Sequence, residues 1–131
     1  MSNNDKQYKA TILLAEDEET TRRPVVDYLS ESGFKVLEAS NGDEALKLAI
    51  ENKPDLILLD VIMPKMNGIE VLKKLREDKW GKDAKVILLT NLSGSDTIAQ
   101  AVAYNVKEYF LKSEMELSDI VEKINAKLNL K

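Results

Sequence analysis

The chain contains no cysteine, which excludes disulfides, thiolate nucleophiles and thiolate metal sites together. It contains no histidine either, so an imidazole general base, imidazole metal ligands and self-phosphorylation on histidine are excluded as well. A basic excess is missing: 19 Lys and Arg against 23 Asp and Glu give a formal net charge of -4 and a pI near 5.0. Composition therefore advertises no face for nucleic acid or anionic membrane, and neither is expected as a direct partner. No apolar run approaches the roughly 20 residues of a membrane span, and residues 1–9 are polar and mixed in charge, unlike a signal peptide. A cytoplasmic location is the expectation. Repeats beyond a strand-helix unit, low-complexity tracts and interior linkers are absent too. Chemistry is left to carboxylates, hydroxyls, lysine and the backbone. With 131 residues, 44% hydrophobic and 32% charged, the chain suits one core; a single domain over 1–131 is expected, its core over about 10–129 after a polar tail over 1–9.

What is present is organised around residues 55–68. Leu56-Ile57-Leu58-Leu59 is a solid apolar run that ends on Asp60 and is followed by Val61-Ile62-Met63-Pro64-Lys65-Met66-Asn67-Gly68. Four apolar residues in succession read as a strand buried on both faces, as in a parallel sheet covered by helices. Asp60 then stands at the strand's carboxyl end, where open α/β sheets bind ligands. An isolated Asp there is more often a helix cap or a turn residue. Met63 and Met66 read as packing.

The remaining segments repeat the pattern. Ile12-Leu13-Leu14-Ala15 is a strand ending on Glu16-Asp17-Glu18-Glu19. A helix follows over 20–32, with Pro24 expected in its first turn, Thr20 or Thr21 as N-cap and Gly33 as the C-cap glycine. Residues 34–38 read as a second strand. Asn41 with Glu44 starts a second helix whose apolar stripe is Ala45, Leu46, Leu48, Ala49 and Ile50. The third strand begins at Asp55. Pro64 suits the first turn of a third helix carrying Ile69, Leu72 and Leu75 as far as about Lys79. Val86-Ile87-Leu88-Leu89 is a fourth strand ending on Thr90. A loop and cap over 93–96 precedes a weaker helix with Ile98, Ala99, Val102 and Ala103, closed by Asn105 in the left-handed conformation. Tyr109-Phe110-Leu111 is a fifth strand ending on Lys112. The last helix has Ser113 and Glu116 as a capping box and Leu117, Ile120, Val121, Ile124 and Leu128 at helical spacing. Five strands alternating with five helices predict an α/β fold: a parallel sheet with right-handed crossovers and helices on both faces, three layers in all.

In such a sheet the strand ends Glu16/Asp17, Asp60, Thr90 and Lys112 share one edge. Three carboxylates gathered there repel by on the order of 4 kcal/mol per close pair at an effective dielectric of 20. Lys112 supplies one compensating charge. An oxygen-only donor set with open positions for water points to Mg2+ as the second, or Mn2+ in its place. Glu18 and Glu19 serve the first helix dipole instead.

This ordered set resembles a response regulator receiver domain, CheY-like, of two-component signal transduction, from about Thr11 to Leu128. Glu16 and Asp17 fall on the family's acidic pair, Asp60 on its phosphorylated aspartate within Asp-x-x-Met-Pro-x-Met-x-Gly, Thr90 on its switch hydroxyl, Tyr109 on its switch aromatic and Lys112 on its lysine. The spacings agree, 30 positions from Asp60 to Thr90 and 22 from Thr90 to Lys112. The resemblance implies a doubly wound flavodoxin-like (βα)5 fold with strand order 2-1-3-4-5. It also implies a switch that takes a phosphoryl group onto Asp60 from a sensor histidine kinase or phosphotransfer protein, with Mg2+ held by Glu16, Asp17, Asp60 and the Ile62 backbone carbonyl. Such a protein is its own substrate rather than an enzyme acting on others. Thr90 and Lys112 would meet the new phosphate, the loop over 91–95 with Gly94 would yield, and Tyr109 would move. Output would pass to a separate protein target or to an effector domain of a longer regulator. The family usually has proline after the lysine, often with a cis bond, and a small residue after the switch hydroxyl; here Ser113 and Asn91 stand there, and a trans Lys112-Ser113 bond is expected.

Three rival readings are weaker. A Mg2+-dependent small-molecule phosphatase or phosphotransferase of the haloacid-dehalogenase type wants a second Asp two residues after the nucleophile, where this chain has Ile62. An FMN binder needs a hydroxyl- and glycine-rich phosphate loop after the first strand, where this chain has four acids. A receiver-fold scaffold that is never phosphorylated has no use for the intact acid set.

Overall fold

The computed structural model describes residues 7–91 and 95–130, the side chains of 95 and 96 excepted. Its strands are β1 (Thr11–Ala15), β2 (Lys35–Ala39), β3 (Leu56–Asp60), β4 (Val86–Thr90) and β5 (Tyr109–Leu111). Its helices are α1 (Glu19–Glu31), α2 (Gly42–Asn52), α3 (Gly68–Glu77), α4 (Ser95–Ala103) and α5 (Leu117–Lys127). The five strands form one sheet in the order 2-1-3-4-5, every pairing parallel. This is the doubly wound flavodoxin-like architecture that the alternation of strands and helices predicts.

Side-chain alternation splits the core in two. Leu13, Ala15, Ile57, Leu59, Val86 and Leu88 face one side of the sheet, against Ala45 and Ala49 of α2, Leu72 and Leu75 of α3, and Ala101 of α4. Ile12, Leu14, Leu56, Leu58, Ile87 and Leu89 face the other, against Val25, Val26 and Leu29 of α1 and Ile120 and Ile124 of α5. β3 and β4 are buried along their whole length, because both faces are covered.

Most helix ends follow local chemistry. α1 closes with the Phe34 N–H donating to the Leu29 carbonyl and the Gly33 N–H to that of Ser30, a Schellman turn that needs Gly33 at φ 100°. The Asn41 side chain accepts from the Glu44 N–H, and Asn105 takes φ 64° after α4, both as expected. The described peptide bonds are all trans, that of Lys112-Ser113 included.

Several expectations fail, each for a physical reason. α1 begins at Glu19 with Glu18 as N-cap, so Pro24 lies inside the helix rather than in its first turn, and neither Thr20 nor Thr21 caps it. The earlier start is fixed by the Glu16 carboxylate, which accepts from the Glu18 N–H. α3 starts at Gly68, four residues beyond Pro64: Lys65 is left-handed at φ 70°, which no helix tolerates. Asn67 and Glu70 form the capping box instead. Ser113 sits in a 3-10 turn, Lys112–Glu114, and α5 has Glu116 as N-cap with no side-chain cap, so the Ser113/Glu116 capping box does not form. Ile50, Val102, Ala99 and Ala103 are exposed, and α4 buries Ala101. β2 runs one residue later than the predicted 34–38. β3 starts at Leu56, while Asp55 accepts from the Thr11 N–H. The cap over 93–96 and the yielding loop over 91–95 lie outside the described residues, apart from Asn91 and the backbone of 95 and 96.

Arg76, which carries no sequence motif, joins α3 to its surroundings. Its guanidinium donates to the carbonyls of Tyr104, Gly81 and Ala84. Burial lowers its pKa, and these three acceptors supply what solvation does not.

Candidate phosphoacceptor and cation site

Register brings the predicted strand ends together. Ala15 pairs with Leu59, so Glu16 and Asp60 are neighbours one step beyond. Asp60 pairs with Leu89 and Thr90 with Leu111, which puts Thr90 and Lys112 on the same edge. Alternation assigns sides: Glu16 and Asp60 continue the row of Leu14 and Leu58 facing α1 and α5, whereas Thr90 continues that of Leu88, facing α4.

The edge is dry and strongly charged. Glu16 is 0%, Asp60 4% and Thr90 1% exposed; Asp17 is less enclosed. Lys112 Nζ lies 2.9 Å from Asp60 Oδ2 and also pairs with Glu16. Burial raises the Glu16 and Asp60 carboxyls above their ordinary values; Lys112 opposes the shift, while Asp60 adds to it at Glu16 and Asp17 adds to it at Asp60. Burial works against the Lys112 ammonium, but its two carboxylate partners outweigh it and its pKa is raised. One lysine therefore holds two buried acids that are still under-neutralised.

Glu16, Asp17 and Asp60 each offer a carboxylate oxygen within 4.8 Å of the others. A donor set of oxygens alone, with one ligand towards solvent, fits a hard divalent ion that retains water. This acidic pocket can bind a divalent metal. The Ile62 N–H bonds the Asp60 carboxylate, and its side chain is 62% exposed. Tyr109, at the start of β5, is 42% exposed.

Two glycines and an arginine also shape the site: Gly68 closes the Asp-x-x-Met-Pro-x-Met-x-Gly pattern, whereas no sequence motif singles out Gly42 or Arg22. A Cβ on Gly42 would stand 1.8 Å from the Met66 carbonyl oxygen, and one on Gly68 2.3 Å from that of Asp60; both glycines let the loop after Asp60 seat against α2 and α3. Arg22 donates to the Glu16 carbonyl at 2.8 Å and to Glu38 at 3.0 Å. Its only sequence signal is that of a basic residue one helical turn past an acidic run.

An acidic cluster, a hydroxyl and a lysine on the carboxyl edge of a 2-1-3-4-5 sheet are the arrangement of a CheY-like receiver. The chain belongs to the family described as response regulator receiver domain, whose model matches residues 12–125. Transcriptional regulatory protein SrrA of Staphylococcus aureus is 39% identical over 101 residues, 77% of this chain and 41% of that protein. The chain thus spans less than half the length of the curated relatives it matches. Among solved structures, the Francisella response regulator 1452 receiver domain superposes with a TM-score of 0.84 at 25% identity, covering 92% of this chain and 98% of that one. A DNA-binding response regulator of the LuxR family from Staphylococcus aureus does so at 0.81 and 34% identity, covering 92% and 98%. The protein is a receiver domain of two-component response regulators. Among the described residues no helix is long and apolar enough to cross a membrane.

Proposed function

We propose that Asp60 accepts a phosphoryl group from a phosphohistidine of a sensor kinase or phosphotransfer protein, and that the resulting acyl phosphate is the signal. An Asp60 oxygen forms the new O–P bond as the P–N bond breaks, the electron pair leaving with the imidazole nitrogen. The observation that carries this reading is the buried Asp60, ion-paired to Lys112 and clustered with Glu16 and Asp17. A hard cation, Mg2+ or Mn2+, bound by Glu16, Asp17, Asp60 and the Ile62 carbonyl would neutralise charge on the transferring oxygens. Lys112 holds a second oxygen, and the site is positioned rather than covalently elaborate. Water later attacks the acyl phosphate, so the state decays. The chain turns over no separate substrate and is not an enzyme in that sense.

A phosphoryl group adds about two negative charges and three acceptor oxygens. Thr90, on the α4 side of the sheet, reaches them by moving its strand end inward, and Tyr109 follows from its exposed position. Output then leaves through a separate protein or an effector domain beyond the matched segment, and the receiver itself contacts neither nucleic acid nor membrane. A cytoplasmic location goes with this reading.

Incubation with acetyl phosphate and Mg2+, followed by intact-mass analysis, tests the core of it. The native chain should gain one phosphoryl group and Asp60→Asn none; phosphorylation persisting in Asp60→Asn would remove the assignment. Thr90→Ala should keep the mass gain but shrink the backbone NMR shifts at Tyr109 on adding beryllofluoride and Mg2+. Full-sized shifts in that variant would sink the switch while leaving the phosphoacceptor intact.

A further inference from the structure

Between the end of β1 at Ala15 and the start of α1 at Glu19 lie only three residues, and they carry two of the three clustered carboxylates. Glu16 is held from every side. Its N–H donates to the Ala39 carbonyl at 3.0 Å, its carboxylate pairs with Lys112 and accepts from the Glu18 N–H at 3.0 Å, and its carbonyl accepts from Arg22 Nη1 at 2.8 Å. That carbonyl belongs to the peptide from which Asp17 hangs. Arg22 is itself fixed: Nε donates to Glu38 Oε1 at 3.0 Å, and the side chain is 14% exposed. Glu38 lies on β2, next to the paired Ala39 and Ala15. A planar guanidinium is suited to this task, since its fork spans a carboxylate and a carbonyl at once.

We propose that Arg22 is a positioning residue of the cation site: oriented by Glu38, it fixes the Glu16–Asp17 peptide and so presents the Asp17 carboxylate to the metal. The inference rests on the cation-site reading given above. Coulomb's law alone predicts the opposite sign, because Arg22 puts a positive charge beside a site that is to take a divalent cation, and deleting it should tighten binding. Geometry predicts weakening, as is found when the groups that orient metal ligands are removed, by about tenfold or more. The direction of the effect therefore separates the two. Arg23 provides the control. It also reaches Glu38, at 3.4 Å, and pairs with Asp27, but it is half exposed and turns to these two carboxylates rather than to the Glu16 carbonyl.

The experiment is Mg2+ titration by calorimetry, with Mn2+ binding by electron paramagnetic resonance as a second readout, on the native chain and on Asp17→Ala, Arg22→Ala, Arg22→Lys, Arg23→Ala and Glu38→Gln. Urea unfolding in EDTA accompanies each to establish that it is folded. Arg22→Ala is expected to weaken Mg2+ about tenfold, Arg22→Lys to restore only part of this because a single ammonium cannot span both acceptors, and Arg23→Ala to leave affinity unchanged or slightly tighter. Glu38→Gln should weaken binding less, and its effect should vanish in the Arg22→Ala background. Should Arg22→Ala not fold, Glu38→Gln and Arg22→Lys carry the same test. Affinity equal to or tighter than native in Arg22→Ala, or loss as large in Arg23→Ala, overturns the assignment. If Asp17→Ala binds Mg2+ as the native chain does, the cation site itself is misplaced, a result distinct from the failure of Arg22 alone.

Discussion

Without metal, removing the Asp17 charge should make the protein more stable, although Asp17 is a proposed functional residue. Carboxylate oxygens of Glu16, Asp17 and Asp60 lie within 4.8 Å of one another, so at an effective dielectric of 20 each pair costs at least about 3.5 kcal/mol before screening. Asp17 takes part in two pairs, about 7 kcal/mol. It is also the least enclosed of the three, and solvent and salt reduce such terms to about a third, leaving roughly 2 kcal/mol. Lys112 pairs with Glu16 and Asp60, so Asp17→Asn leaves both ion pairs standing. Urea unfolding in EDTA should therefore show the Asp17→Asn midpoint about 1 M above native for a slope of about 2 kcal/mol/M. In Mg2+ at about 100 times its dissociation constant the native chain gains about 2.7 kcal/mol and the order reverses. A midpoint in EDTA at or below native would refute the view that this edge is strained by uncompensated charge.

Other consequences can be checked in the same way. Burial raises the Glu16 and Asp60 carboxyls, so the folded state holds these protons more tightly than the unfolded chain. Their contribution is most favourable where both are protonated and is lost as pH rises from the ordinary carboxylate range through the raised folded values. The stability of the metal-free native chain relative to Asp60→Asn should accordingly fall as pH rises above the ordinary carboxylate range, and a flat difference would speak against desolvation of Asp60. Arg76→Ala strips three backbone carbonyls of their donor and should cost about 2 to 4 kcal/mol in urea unfolding; a loss below about 0.5 kcal/mol would mark it as an exposed contact. Gly42→Ala places a methyl 1.8 Å from the Met66 carbonyl oxygen and should destabilise by about 1 to 3 kcal/mol. Because the displaced loop carries Ile62, Mg2+ affinity should drop as well; native-like affinity and stability would show that α2 gives way freely.

The sheet was legible in the sequence because its signal is simple. Buried parallel strands must be apolar on both faces, so Ile12-Leu13-Leu14, Leu56-Ile57-Leu58-Leu59 and Val86-Ile87-Leu88-Leu89 stand out without reference to anything else. Helix starts were less legible because several residues compete to cap. Pro24 and Pro64 are each acceptable in a first turn, yet the Glu16 carboxylate holds the N–H of the N-cap residue Glu18 and the Asn67 side chain caps α3, and an actual acceptor outweighs a ring that is merely tolerated. At the site, the acids, hydroxyl and lysine were visible because chemistry restricts their types and the sheet restricts their places. Arg22, Gly42 and Arg76 were not, since each acts on a backbone carbonyl, and a carbonyl leaves no trace in the sequence of the residue that owns it.

The buried face of α4 is a choice that hydrophobic pattern does not make. Ile98, Ala99, Val102 and Ala103 form one apolar stripe, while Ile98 and Ala101 with Tyr104 form another about a third of a turn away, and hydrophobicity alone does not choose between them. The structure buries Ala101 at 2% and leaves Val102 50% exposed, because the small Ala101 and the flanking Tyr104 fill the space against the first core. An apolar surface thus remains on α4, close in the fold to β5, where Tyr109 is 42% exposed. Isolated exposed apolar residues need no explanation, but apolar groups on adjacent elements beside the proposed switch hydroxyl do. In the proposed mechanism an inward shift of Thr90 and Tyr109 changes the shape of that same surface, which connects the failure to predict the helix face to the place where the signal would leave the domain.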